Sequence, residues 1–420
     1  MSIQLQEGVN IHVLPTKKYK TIRIVLKFRT PLDKKNITKR ALLSSLLETN
    51  SKKYNSQTKL RSELANLYGA SFGLSVTKKG TMHMLTVGMT VVNEKYLSAN
   101  ENVLQEGIDF LKEILFHPNV TDGKFDEETF NREKENLADY YESIFDDKQA
   151  YASLSLQRLY FEDENQKTPS IGTLEDLNDI TAASLYEYYQ ELLAEDCVDI
   201  YVLGDVEESE MTEAFRAFPF KARQVPRESI FYTAATHNKL IEEIEQQEVT
   251  QAKFNLAYET NVFYQDKNYF AAQIFNGLFG GFPHSKLFMN VREKESLAYY
   301  ASSTLDTFRG MMTVQTGIDS TKVEQVREII QLQLIEMQNG NFSDEAIDQT
   351  KEMLKNQVLQ SEDNPGAVME KMYTQQLVGS TLTTAEFEQK INEVTKEEII
   401  KIANQVYLKA TFFLTGEENK

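Results

Sequence analysis

The chain has 420 residues, too many for one ordinary compact domain at about 100–200 residues each. Hydrophobic residues make up 41% and charged residues 26%, with 18 Gly and 8 Pro, a globular balance that sets aside disordered, collagen-like and low-complexity chains. Lys and Arg number 45 against 63 Asp and Glu, and the formal net charge of −18 argues against nucleic acid or an anionic membrane surface as a partner.

The start, Met1-Ser2-Ile3-Gln4-Leu5-Gln6-Glu7, has no basic run leading into an apolar one, so no secretory leader is read there. No window approaches about 18 uninterrupted apolar residues, so no membrane span is expected and the cytoplasm is the default location. Thr21–Phe28 alternates, with Ile22, Ile24, Leu26 and Phe28 on one face of a half-buried strand. Helical spacing follows in Lys39–Thr49 and Thr58–Tyr68, then strand patterns in Ser71–Thr77 and Met82–Met89. Tyr96–Leu115 reads as a long amphipathic helix stopped by His117-Pro118. Further helices are predicted over Asp126–Asp146, Ala150–Phe161 and Thr181–Ala194. Cys197–Leu203 then reads as a strand closing at Gly204. Its Cys197 is the single cysteine, which rules out an intrachain disulfide and fits a small buried hydrophobe.

The order then recurs. Phe254–Tyr258 alternates like the first strand, and Lys267–Leu278 and Leu287–Glu293 are helical. Ala298–Thr304 and Met311–Gly317 are strands. Thr321–Gln338, Asp344–Gln360, Asn364–Leu377 and Lys396–Tyr407 are helices, and Thr411–Thr415 is a last strand. Two local matches at nearly the same offset support a duplication. Phe125-Asp126-Glu127-Glu128 heads a long helix, as Phe342-Ser343-Asp344-Glu345 does in the second half. Asn178-Asp179-Ile180-Thr181 precedes a late helix, as Asn392-Glu393-Val394-Thr395 precedes its counterpart, and each Thr is suited to cap the helix it precedes. The expected fold class is α+β: two homologous halves, residues 1–221 and 243–420, each a mixed sheet with helices on one face, joined by a connector at 222–242.

The motif richest in chemistry is Gly277-Leu278-Phe279-Gly280-Gly281-Phe282-Pro283-His284-Ser285-Lys286-Leu287-Phe288-Met289-Asn290-Val291-Arg292-Glu293-Lys294-Glu295-Ser296-Leu297-Ala298-Tyr299. It resembles the second-half signature of insulinase/pitrilysin-type zinc peptidases, the inverted zincins, in which a glycine loop precedes an Arg and a Tyr seven residues apart. Here that pair is Arg292 and Tyr299, behind Gly280 and Gly281. The resemblance covers the whole chain and implies a clamshell protomer of two α+β halves. It also implies that these four residues bind substrate. A guanidinium and a phenol offer fixed donors to a peptide carbonyl and to the oxyanion that develops from it.

The family's first half carries H-x-x-E-H, two imidazoles one helical turn apart and a Glu that activates zinc-bound water. In the matching segment Ala41–Asn50, Glu48 falls on the base position, but the ligand positions carry Ser45 and Thr49. The helix that supplies the third ligand places Tyr140 there, with Asp139 beside it and Glu142 two residues on. Neutral hydroxyls bind zinc far more weakly than imidazoles. His12, His83, His117, His237 and His284 include no pair at the required spacing. Glu48 therefore reads as a vestigial base.

The resemblance thus implies a non-catalytic, peptide-binding subunit of a bacterial heterodimer, with no metal of its own and zinc supplied by a paralogous partner. A homodimeric assembly module of the same fold is the alternative, followed by an active peptidase recast around Glu48 and Asp139. No phosphate loop or G-x-S-x-G nucleophile motif occurs. The acidic runs Glu207–Glu210 and Glu242–Glu245 read as solvated faces.

Overall fold

The computed structural model of the chain describes residues 2–98, 101–233 and 239–416. Strands Ser2–Gln6 (β1), Val9–Pro15 (β2) and Thr21–Pro31 (β3) lead into helices Lys34–Leu47 (α1) and Gln57–Asn66 (α2). The hairpin Ser71–Lys79 (β4) and Met82–Val92 (β5) follows, then Val103–Phe116 (α3). A short hairpin, Val120–Thr121 (β6) with Lys124–Phe125 (β7), precedes Glu127–Asp146 (α4), Lys148–Tyr160 (α5), Glu164–Lys167 (α6), Leu174–Asn178 (α7) and Ala182–Glu195 (α8). Cys197–Gly204 (β8) and Glu208–Arg216 (α9) come next, then Ile241–Gln246 (β9), Ala252–Glu259 (β10) and Tyr269–Asn276 (α10). Two π-helical segments, Gly277–Gly281 and Phe288–Lys294, lie before Ala298–Asp306 (β11) and Met311–Ile318 (β12). The chain continues through Val323–Gln338 (α11), Asp344–Ser361 (α12), Pro365–Leu377 (α13), Thr384–Glu393 (α14) and Lys396–Ala403 (α15) to Tyr407–Thr415 (β13). No described helix is long and apolar enough to cross a membrane.

The chain divides into two compact units. One holds Met1–Glu142 and Thr168–Glu228, the other Ser143–Lys167 and Ser229–Lys420. The first unit is built on a six-stranded sheet in the order β1-β2-β8-β3-β5-β4, parallel where β2 meets β8 and antiparallel elsewhere. Alternation puts Ile22, Ile24, Leu26 and Phe28 of β3 on the face that packs with Leu42, Leu43 and Leu46 of α1, Phe110 and Leu111 of α3 and Leu185 of α8. Each such side chain contributes about 1.5–3 kcal/mol on burial. The most deeply buried charge of this unit is Arg40 of α1, which donates to Asp196 at 2.6 Å, the Tyr188 hydroxyl at 3.0 Å and the Phe28 carbonyl at 2.9 Å.

The second unit is built on a five-stranded sheet, β11-β12-β10-β13-β9, parallel where β13 meets β9. Phe254, Leu256 and Val314 pack on one face with Phe275 of α10, Ile330 of α11 and Ile399 of α15. Ala257, Ala410, Phe412 and Leu414 point to the other face, where α5 lays its Ala152–Leu156–Tyr160 stripe.

Several elements differ from their sequence pattern. The helix read from Tyr96 begins at Val103, after a short 3-10 turn at Glu94–Tyr96; residues 99 and 100 lie outside the described residues. The helix read through Tyr407 ends at Ala403, and Tyr407 opens β13. The connector at 222–242 includes residues 234–238, His237 among them, which lie outside the described residues, and it ends inside β9. Segment Ser143–Lys167, read as part of the first half, belongs with the second unit because its apolar stripe is buried on β10 and β13. Helices accordingly cover both faces of the second sheet rather than one. The acidic run at Glu242 is an edge strand whose carboxylates are engaged: Glu242 by Arg327 at 2.6 Å, Glu243 by Arg158 at 2.7 Å and Glu245 by the Tyr151 hydroxyl at 2.9 Å.

The duplication extends to single hydrogen bonds. Lys134 of α4 donates to the carbonyls of Asn178 and Ile180 at 3.0 and 2.8 Å. Its counterpart Lys351 of α12 donates to those of Asn392 and Val394 at 2.9 and 2.8 Å. The helices that follow are capped by Thr181 and Thr395, each in a capping box.

Candidate functional site

Arg292 lies in the second π-helical segment, a geometry that recurs at functional sites. Val291 and Leu297 are buried, and the Leu297 N–H donates to the Val291 carbonyl at 3.0 Å. Ser296, at φ +54°, turns the chain directly into β11. The Arg292 guanidinium lies over the Phe288 ring, 4.6 Å from its centroid, and its Nε is 3.6 Å from Glu293 Oε1. The side chain remains exposed, shelved on the aromatic ring four residues back.

Tyr299 is the second residue of β11, the edge strand of its sheet. The register passes from Ala298 opposite Ile318 to Tyr300 opposite Gly317, so Tyr299 is the extra residue of a β-bulge. The bulge aims its phenol outward at 74% exposure, while the next residue, Tyr300, turns inward to Gln149 of α5. Guanidinium and phenol are therefore both presented to solvent at the two ends of one short turn.

The glycines hold this turn in place by their lack of a side chain. A Cβ on buried Gly280 would lie 2.7 Å from Ser303 N and Oγ on β11 and 2.9 Å from Leu287. On Gly281 it would lie 2.8 Å from Asn276 Nδ2. The Ser303 hydroxyl donates to Asn276 Oδ1 at 2.8 Å, tying the loop to the strand that carries Tyr299. Gly280 thus faces protein; Gly281 is exposed. The sequence reading missed Phe288 and Ser303. Phe288 was legible as an aromatic four residues before Arg292 in a helical stretch; Ser303 had no local signal.

In the first unit, Glu48 caps the C-terminus of α1. Its Oε2 accepts from the Leu74 N–H at 3.2 Å and its Oε1 from Arg61 at 3.5 Å. Ser45 Oγ donates to the Ala41 carbonyl at 3.4 Å, and Thr49 Oγ1 to the Ser45 carbonyl at 2.9 Å, so both hydroxyls turn back on their own helix. Asn50 donates to Thr129 Oγ1 at 2.8 Å, fixing the start of α4 beside the end of α1. Tyr140, further along α4, is 52% exposed. This donor set does not fit zinc: two hydroxyls committed to backbone carbonyls and a phenol offer no anionic or imidazole ligand, and Glu48 is held by an N–H. Among the described residues, no group of three or more His, Cys, Asp or Glu is placed to hold a metal ion.

The described histidines have structural partners. His12 stacks on Tyr201 with centroids 4.5 Å apart, His83 Nε2 donates to the Ser170 carbonyl at 2.8 Å, His117 faces Glu113 at 3.2 Å, and His284 meets the Thr350 hydroxyl at 2.7 Å. Cys197 is buried, which pushes its thiol up and leaves it a poor nucleophile.

Residues 179–354 match the peptidase M16 inactive domain. The chain is 38% identical over 412 residues, 98% of its length and 96% of the relative's, to the probable inactive metalloprotease YmfF of Bacillus subtilis strain 168. A crystal structure of a conserved protein from Enterococcus faecalis V583 superposes with a TM-score of 0.95 at 53% identity, covering 100% of this chain and 99% of that one. A peptidase M16 inactive domain from Pseudomonas fluorescens shares the fold, with a TM-score of 0.80 at 17% identity over 99% and 98% of the two chains. By its identity to YmfF across nearly the full length, this chain belongs to the M16 peptidase family, as a homologue of its inactive members.

Proposed function

We propose that this protein is the non-catalytic, peptide-binding subunit of a heterodimeric zinc peptidase, giving Arg292 and Tyr299 to a chamber whose metal sits in a paralogous partner. The observation that carries the reading is an asymmetry within one chain. The Arg–Tyr pair is presented on a braced turn, while the positions of the metal ligands hold hydroxyls bonded to their own helix. Arg292 N–H groups and the Tyr299 O–H donate to the carbonyl oxygen of an extended peptide, and more strongly as that oxygen gains charge. A donor used this way is worth about 10²–10³ in rate. A metal in the partner would supply the activated water, and this chain's residues would hold and polarise the carbonyl.

The test mixes the full chain with a zinc-bearing M16 paralogue from the same cell and follows cleavage of unstructured peptides. Hydrolysis that requires both chains supports the reading. A paralogue that cleaves equally fast alone contradicts it, and a chain that forms only homodimers gives the ground to an assembly role.

A further inference from the structure

The second unit contains a cavity of about 600 Å³ at the tip of the β11–β12 hairpin, under α13 and α14. Its size is that of a small-ligand pocket, and neither Arg292 nor Tyr299 lines it. Its walls are largely apolar, with Tyr264, Tyr269, Leu382 and Phe387 among them. Tyr264 packs edge-on against Tyr269, centroids 5.0 Å apart, and stacks on Phe308 at 5.6 Å, which makes a rigid aromatic wall.

Four charged residues also line the cavity, and they are not equivalent. Asp306 and Arg309 neutralise one another at 2.6 Å, and Asp306 also accepts the N–H groups of Phe308 and Arg309 at 3.0 and 3.1 Å. Glu370 is engaged in an interaction of its own. Lys371 differs: its half-buried ammonium donates to the Thr384 hydroxyl at 2.8 Å, and that hydroxyl in turn donates to Glu362. Among the described residues Lys371 forms no ion pair, so an ammonium with three N–H donors satisfies one of them on a neutral oxygen. An ammonium without a direct carboxylate contact, lining the same cavity as the aromatic wall and reaching Glu362 only through the Thr384 hydroxyl, favours a ligand with an anionic head and an apolar body.

We propose that this cavity binds an organic carboxylate carrying an aromatic or branched apolar group, the carboxylate on Lys371 and the apolar group against Tyr264, Tyr269 and Phe387. A free acid and the C-terminal residue of a peptide share that chemistry. The site is independent of the peptidase reading, because the experiment uses the full chain alone and measures binding.

Calorimetric titrations use phenylpropionate, acetyl-alanyl-alanyl-phenylalanine with a free carboxylate, and the same peptide amidated. The expected result is binding of at least one carboxylate, with the amide about tenfold or more weaker. Binding of phenylpropionate alone identifies a free acid as the source, and binding of the peptide acid alone a C-terminus. Lys371→Met should weaken carboxylate binding about tenfold or more with the amide unchanged, Lys371→Arg should retain it, and Leu382→Trp, which fills the cavity, should abolish it. Melting curves identify a variant that fails to fold, and the comparison of acid with amide on the native chain then decides alone. Equal affinity for acid and amide, unchanged affinity in a folded Lys371→Met, or no binding of either acid at millimolar concentration overturns the proposal.

Discussion

Gly280 admits no side chain, because Ser303 N and Oγ stand 2.7 Å from where a Cβ would be. Gly280→Ala is expected to destabilise the chain by about 1–3 kcal/mol in urea unfolding, since the loop or β11 must shift. The sequence made this glycine legible as part of a loop; what it faces depended on a later strand and was not legible. Tyr299 has the same history. Its spacing from Arg292 was readable, but its exposure comes from a bulge that exists only once β11 has paired with β12. His83 carries a pH prediction. Burial first, then the charge of Arg40, pushes its imidazole down to about 3, while the unfolded chain takes up a proton near 6.5. The native state therefore binds fewer protons, and stability present above about pH 6.5 is lost as the pH falls towards 3, at up to about 1.4 kcal/mol per pH unit. His83→Gln should flatten this slope between about pH 6.5 and pH 4 in urea titrations; a slope identical to the native one would show that other groups set it.

α5 has a readable stripe, Ala152, Leu156 and Tyr160, yet periodicity tells which face of a helix is buried and not what buries it. The chain order suggested the first half, whereas the stripe fits the open face of β10 and β13. Leu156→Ala should cost about 2–5 kcal/mol. Exchange protection should fall in β10 and β13 of the second unit before it falls in β3 and β5 of the first. Loss confined to the first unit would contradict this packing. The helices of the duplication were legible for a simpler reason: Thr181 and Thr395 cap through local hydrogen bonds, which sequence encodes directly. β1, β2 and β9 were not, because short strands take their identity from the neighbours that pair with them.

Across the whole molecule, duplication supplied two related units, and their chemistry has diverged. Lys134 and Lys351 perform the same backbone clamp at matching places in the two units, so the scaffolds remain parallel where no chemistry is required. At the positions that the proposed function uses they differ: one unit presents Arg292 and Tyr299, and the other has hydroxyls folded back on α1. Both halves of that contrast were visible in the sequence as residue types. The bonds that turn those hydroxyls back on the Ala41 and Ser45 carbonyls exist only in the folded helix and were not legible. The most direct measurement is peptide turnover by the proposed pair, this chain mixed with a zinc-bearing M16 paralogue, with native Arg292 and with Arg292→Ala. The substitution removes an exposed side chain and should leave the melting of the isolated chain within about 0.5 kcal/mol of native. The account predicts a loss of about 10²–10³ in kcat at unchanged assembly. Turnover equal to that of the native pair would contradict it.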